Sequence, residues 1–158
     1  MVAIARSFNT TYQGVLYQTD TYFNVLQGRL KLREITNHTS ELIYYNRKEN
    51  TSTRLSNYII YSVNNEDELK NILDISIGTK AIVRKKRELF IYKSARIHID
   101  DVVSLGCFME IEVPVLNDVQ YSESILSYLV DKFLIKESDF FNHSYVDIMI
   151  ETSNSSFK

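Results

Sequence analysis

The heptapeptide Gly28-Arg29-Leu30-Lys31-Leu32-Arg33-Glu34 decides how the rest of the chain is read. Cation and leucine alternate with a period of two, and successive side chains of an extended strand point to opposite faces. Arg29, Lys31 and Arg33 therefore share one face, and Leu30 and Leu32 the other. Taken alone, such a strand reads as a solvated edge, where positive charge opposes aggregation. The pattern recurs, however, and an edge strand explains only one instance. Val83-Arg84-Lys85-Lys86-Arg87 places Lys85 with Arg87, Ala95-Arg96-Ile97-His98-Ile99-Asp100 places Arg96 with His98 and Asp100, and Ile43-Tyr44-Tyr45-Asn46-Arg47 ends in Arg47. The carboxylates follow the same spacing: in Phe108-Met109-Glu110-Ile111-Glu112-Val113, Glu110 and Glu112 project from one face and Met109, Ile111 and Val113 from the other.

Working outward, alternation predicts strands near 17–24, 28–35, 41–47, 56–63, 81–92, 95–103 and 107–115. Asn65-Glu66-Asp67 predicts a capped helix over 68–75, and Ile125, Leu126, Leu129, Val130 and Phe133 recur at helical spacing after Ser122, which predicts a second over 122–134. Shorter helices are expected at 1–12 and 137–141. So many strands with so few covering helices do not make a doubly wound sheet, which needs strand and helix in regular alternation. An α+β protein with an antiparallel barrel or sandwich is left. In it Ile97, Ile99, Met109, Ile111 and Val113 face outward under the two larger helices, and the charged faces line the interior. Burying charge is costly unless the charges pair or meet a ligand and a metal. A polyanion with divalent cations would satisfy both sets, with Arg and Lys on its oxygens and carboxylates on the cations.

Composition bounds the rest. The chain has 158 residues, 44% apolar and 24% charged, which suits one globular domain with a sizeable core. Its formal net charge of −2 supplies no general field toward nucleic acid or anionic lipid, so an anion site has to be local. The single Cys107 can form no internal disulfide and is read as a small packing residue. No apolar run approaches the roughly 20 residues of a bilayer crossing, and no secretory pattern opens the chain, so the expected location is the cytoplasm, with no membrane partner.

At these same strings the sequence resembles the CYTH superfamily, the triphosphate tunnel metalloenzymes, which include class IV adenylyl cyclases and thiamine triphosphatases. The resemblance runs through Gln18–Phe23, Gly28–Glu34, Glu41–Tyr45, Val83–Arg87, Arg96–Asp100, Leu105–Val113 and Ser144–Asp147, and the Gly-Arg-Leu-Lys-Leu-Arg and Arg-Ile-His-Ile-Asp strings are most similar to the cyclase-like branch. It implies an antiparallel eight-stranded tunnel that binds a triphosphate such as ATP, thiamine triphosphate or tripolyphosphate, with Mg²⁺ or Mn²⁺ held by acidic residues. Arg29, Lys31, Arg33, Lys85, Arg87 and Arg96 then correspond to phosphate-facing cations and Glu110 and Glu112 to metal ligands, with Arg47, His98 and Asp100 lining the tunnel without an assigned role. Either phosphohydrolysis or cyclisation of ATP would be the activity, and homodimerisation is left open. Members begin with a Glu-x-Glu-x-Lys strand that adds metal-binding carboxylates. Here Met1–Phe8 aligns instead with the helix that follows it, so the expectation is a barrel with its first strand missing. That leaves a non-catalytic polyphosphate- or nucleotide-binding module as the alternative. One domain over 1–150 and a loose tail over 151–158 complete the reading.

Overall fold

The computed structural model describes residues 1–47, 56–115, 118–141 and 143–155. Its strands are β1 (Thr11–Phe23), β2 (Arg29–Ile35), β3 (Ser40–Arg47), β4 (Ser56–Val63), β5 (Thr79–Tyr92), β6 (Ala95–Val102) and β7 (Gly106–Glu112). The helices are α1 (Val2–Arg6), α2 (Glu66–Ile77), α3 (Val119–Lys132) and α4 (Tyr145–Ser155), with a 3₁₀ turn at Glu137–Asp139. The seven strands form one sheet in the order β4-β3-β2-β1-β5-β6-β7. β1/β2, β2/β3, β3/β4 and β6/β7 pair antiparallel. Among the described residues no pairing joins β4 to β7, so the sheet is open. The α+β class and the antiparallel strands agree with the sequence.

The chain divides into two compact units. One comprises Met1–Leu16, Lys86–Val102 and Gly106–Phe140. Its core is Ala5, Phe90, Ala95, Ile97, Ile125, Leu129 and Phe133, against which Ile99, Met109, Ile111 and Val113 are partly buried. The apolar set of β6 and β7 thus lies under α3, as its alternation requires. The other unit comprises Tyr17–Lys85, Val103–Leu105 and Phe141–Lys158. There Phe23, Leu32 and Val63 are buried, with Leu69 and Leu73 of α2 packed on them. This corrects the expectation that α2 covers the β6/β7 set: only Asn64 and Asn65 separate it from β4, so it folds back over that strand's own neighbours.

Other elements depart locally. The helix expected over 1–12 stops at Arg6 because the Ser7 and Thr10 hydroxyls donate to the Ile4 and Ala5 carbonyls, at 2.7 and 2.6 Å. β-branched Thr10 and Thr11 then favour extended chain, and β1 begins six residues before the predicted strand. α3 begins at Val119 rather than Ser122, because Asp118 is the cap, its side chain accepting from the Tyr121 N–H. Ser122 is buried inside the helix and bonds the Pro114 and Asp118 carbonyls. α4 has no counterpart in the sequence reading and carries helix into the stretch expected to be loose, through Ser155. Its Val146 is 1% exposed, and that burial overrides the weak helix propensity of its Asp, Thr, Asn and Ser. Cys107 is exposed and is not a packing residue: its parity matches Met109 and Ile111, but it stands at the exposed start of β7. Among the described residues, no helix is long and apolar enough to cross a membrane.

Candidate functional site

The heptapeptide that opened the reading supplies most of β2, and its first residue, just before the strand, has to be glycine. Gly28 has φ of 67°, and a Cβ there would come within 2.8 Å of the Tyr45 carbonyl oxygen. From this start Arg29, Lys31 and Arg33 alternate as expected. Pairing with β1 sets Asp20 opposite Arg33 and Tyr22 opposite Lys31, so one face gathers both charge signs. Asp20 is 1% exposed, and its carboxylate accepts from Lys31 Nζ at 2.8 Å, from Arg33 Nε at 3.0 Å and from Gln18 Nε2 at 3.0 Å. Burial works to raise the Asp20 pKa, but the charges of Lys31 and Arg33, the Arg33 hydrogen bond and the charge of Lys85 outweigh it and hold the carboxyl well below the usual range. Lys31 is pushed down to about 8, chiefly by burial, with Arg33 and Lys85 adding to the effect against the pull of Asp20. The aromatic rings of Tyr22 and Tyr45 lie 5.5 and 5.7 Å from Lys31 Nζ, and Lys85 Nζ lies 5.0 Å from the ring of Tyr145. Arg29 takes a different partner, donating to Asp147 of α4 at 2.7 Å, and Asp147 is held in place by the Ser144 hydroxyl and N–H.

In the other unit β6 and β7 build a second cluster by the same arithmetic. Their register sets Arg96 opposite Glu112 and His98 opposite Glu110. Asp100, fully buried, accepts from Arg87 Nε and Nη2 at 2.7 Å each, and the same Nη2 also donates to Glu110 Oε2 at 2.9 Å. Arg87 thus orients two carboxylates. Arg96 approaches Glu112 only to 3.9 Å and its side chain is 61% exposed. One ligand atom each from His98, Glu110 and Glu112 lie within 4.8 Å of one another, so an acidic group able to hold a metal ion is present. The fit does not rest on proximity alone, since Nδ1 of His98 is buried with no hydrogen-bond partner.

The sequence-predicted residues therefore divide: Arg29, Lys31, Arg33 and Lys85 belong to one unit, and Arg87, Arg96, His98, Asp100, Glu110 and Glu112 to the other. Arg47 ends β3, and its side chain lies outside the described residues. Two partners escaped the sequence reading. Asp20 carried a usable signal, because Gln18, Asp20 and Tyr22 share a strand face. Asp147 falls in the Ser144–Asp147 string of the resemblance, but nothing in it names Arg29, 118 residues away, as its partner. The spacing Glu-x-Glu-x-Lys does occur once, at Glu66-Asp67-Glu68-Leu69-Lys70, but on α2, where Asn65 caps the Glu68 N–H and residues two apart do not face each other. Lys70 instead bonds Glu34, at 2.7 Å.

An α+β protein with an antiparallel sheet, one buried cluster rich in cations and one rich in carboxylates is the class that fold and side chains define. The chain belongs to the CYTH domain family, whose profile matches residues 2–145. Among solved structures, the PH1012 protein of Pyrococcus horikoshii OT3 is similar with a TM-score of 0.83 and 17% identity, over 92% of this chain and 90% of that one. A protein of Vibrio parahaemolyticus provisionally assigned as an adenylate cyclase is similar with a TM-score of 0.76 and 18% identity, over 94% of this chain and 88% of that one. At such identities the likeness establishes the fold. A search of curated protein sequences found no match.

Proposed function

We propose that the chain binds a small-molecule triphosphate through Arg29, Lys31, Arg33, Lys85, Arg87 and Arg96 and processes it with a divalent cation, Mg²⁺ or Mn²⁺, held by Glu110 and Glu112. The observation that carries this reading is the burial of Lys31 and Lys85 in one unit, with Lys31 and Arg33 both on the single carboxylate of Asp20. Lysines are almost never fully buried, and here two of them stand in one unit with Arg33 beside them, a concentration of buried cation that suits a polyanion. A phosphate chain offers several anionic oxygens to such a set, and Arg33 supplies the planar fork that suits them. Lys31, pushed down to about 8 by burial, recovers its full charge when such an anion arrives. In the other unit Arg87 holds Asp100 and Glu110 in position and leaves Glu112 half-exposed. A divalent ion there would neutralise charge developing on phosphoryl oxygens. Membership of the CYTH family and the similarity to the Vibrio protein support a triphosphate ligand over other polyanions.

Hydrolysis and cyclisation differ in the attacking oxygen, a water in one and a ribose hydroxyl in the other. The test is to incubate the protein with tripolyphosphate, thiamine triphosphate or ATP, with and without each metal, and to measure orthophosphate, pyrophosphate and cyclic AMP. Metal-dependent orthophosphate release means hydrolysis, and pyrophosphate with cyclic AMP means cyclisation. Calorimetric binding without either product establishes the binding-module alternative. Absence of binding to any of the three sinks the proposal.

A further inference from the structure

His98 has no task in the reading above, yet it is the residue of its cluster whose chemistry is least satisfied. It is 4% exposed on β6, directly across from Glu110 of β7, and its Nδ1 is buried without a hydrogen-bond partner. That nitrogen lies 3.6 Å from Glu110 Oε2 and 4.0 Å from Glu112 Oε1, both too long for a hydrogen bond. They suit another arrangement. Two donors each about 2.0–2.2 Å from one ion stand at most about 4.4 Å apart, so either separation accommodates an ion between the donors. The widest separation in the group, within 4.8 Å, closes by small rotations of the two glutamates, whose side chains are 34% and 39% exposed. Of the cations beside the group, Arg87 is already matched by the fork to Asp100, and Arg96, 3.9 Å from Glu112, is 61% exposed and screened by solvent.

We infer that His98 is a third metal ligand, through Nδ1, and that its nitrogen shifts the site of Glu110 and Glu112 away from Mg²⁺ toward Mn²⁺ and the other first-row transition ions. The inference rests on the reading that a divalent ion binds these two glutamates. Mg²⁺ is a hard ion that prefers oxygen and keeps its waters, whereas imidazole nitrogen suits transition ions. Two carboxylates balance the charge of the ion, so a neutral imidazole completes the set without adding charge.

The experiment is pulsed EPR of Mn²⁺ bound to the untagged full chain, made once with natural and once with ¹⁵N-labelled histidine. Nitrogen modulation that changes with the label, and is lost in His98→Asp while Mn²⁺ still binds, is the expected result. Calorimetry of the same two proteins should show Mn²⁺ preferred over Mg²⁺ by about tenfold or more in the parent and by a clearly smaller factor in His98→Asp, where oxygen replaces nitrogen. The labelling comparison needs no variant, so the inference remains exposed if His98→Asp fails to fold. Mn²⁺ bound without nitrogen modulation overturns the role of His98 and leaves the carboxylate site standing. Modulation that survives in His98→Asp also overturns it, since His38 or His143 would then be the source. Absence of any Mn²⁺ binding by the parent overturns both the inference and the reading beneath it.

Discussion

Around Asp20 one carboxylate serves Lys31 and Arg33 and feels the charge of Lys85, whereas around Arg87 one guanidinium serves Asp100 and Glu110 with Glu112 and His98 beside them. Both clusters come from the same device, an antiparallel strand pair whose period-two polar faces meet in register, joined by one cation of β5, Lys85 in the first and Arg87 in the second, and both have an apolar reverse face, Leu32 in one and Ile97 in the other. What separates them is the ratio of signs. A surplus of buried cation is satisfied by an anion with several oxygens, and a surplus of carboxylate by a small cation. Strand geometry brings these side chains together, and under the proposed function the cation-rich cluster takes the phosphates and the carboxylate-rich one the metal.

The largest expected effect comes from removing each cluster's central carboxylate. Asp20→Asn deprives Lys31 and Arg33 of their shared partner, and breaking a buried ion pair from one side costs about 3–5 kcal/mol. Asp100→Asn should cost less, because Arg87 keeps its bond to Glu110. Urea titrations of the two variants test the ordering, and added tripolyphosphate should raise the melting temperature of Asp20→Asn more than that of the parent. Equal costs, or no added protection, would break the contrast between the clusters.

Next in size is the loss of a cation. Arg33→Ala should weaken tripolyphosphate binding by about 1.5–3 kcal/mol, the range for a hydrogen bond to a charged group. Arg96→Ala, whose side chain is 61% exposed, should lose under about 1 kcal/mol, as exposed ion pairs do. Calorimetry that ranked Arg96 above Arg33 would show the second cluster, rather than the first, to be the main phosphate holder.

The smallest effect is one of pH. Burial pushes Lys31 down to about 8 from the ordinary 10.5, and a phosphate ligand needs it protonated. Affinity should therefore fall as pH rises above about 8, by at most about tenfold per unit from this one group. Between pH 8 and 9, binding should take up a proton, measured by calorimetry in buffers of different ionisation heat, and Lys31→Met should abolish the uptake. Folding stability carries the opposite sign. Between about 8 and 10.5 the unfolded chain holds this proton and the native protein does not, so the Lys31 contribution makes stability increase with pH in that window.

The strands were legible because alternation is strict where one face is apolar and the other charged, as in β2, β6 and β7, and neighbouring side chains on one face are named by parity alone. Helix α2 was legible from Asn65 and its acidic first turn. Less so were the ends of elements. The hydroxyls of Ser7 and Thr10 end α1, and the Asp118 cap starts α3 ahead of Ser122. α4 was not legible at all, since its residues favour helix weakly and the burial of Val146 decides the matter.

By itself, then, the sequence determined the α+β class, the charged faces and the residue types on each, because these follow from local periodicity. Only the tertiary structure decided the pairings: that Asp20 meets Lys31 and Arg33, that Asp147 from a distant helix takes Arg29, and that Arg87 orients carboxylates. It also decided that the nitrogen of His98 is left without a partner beside two glutamates. Such facts depend on which strands become neighbours and in which register, and no run of consecutive residues records that.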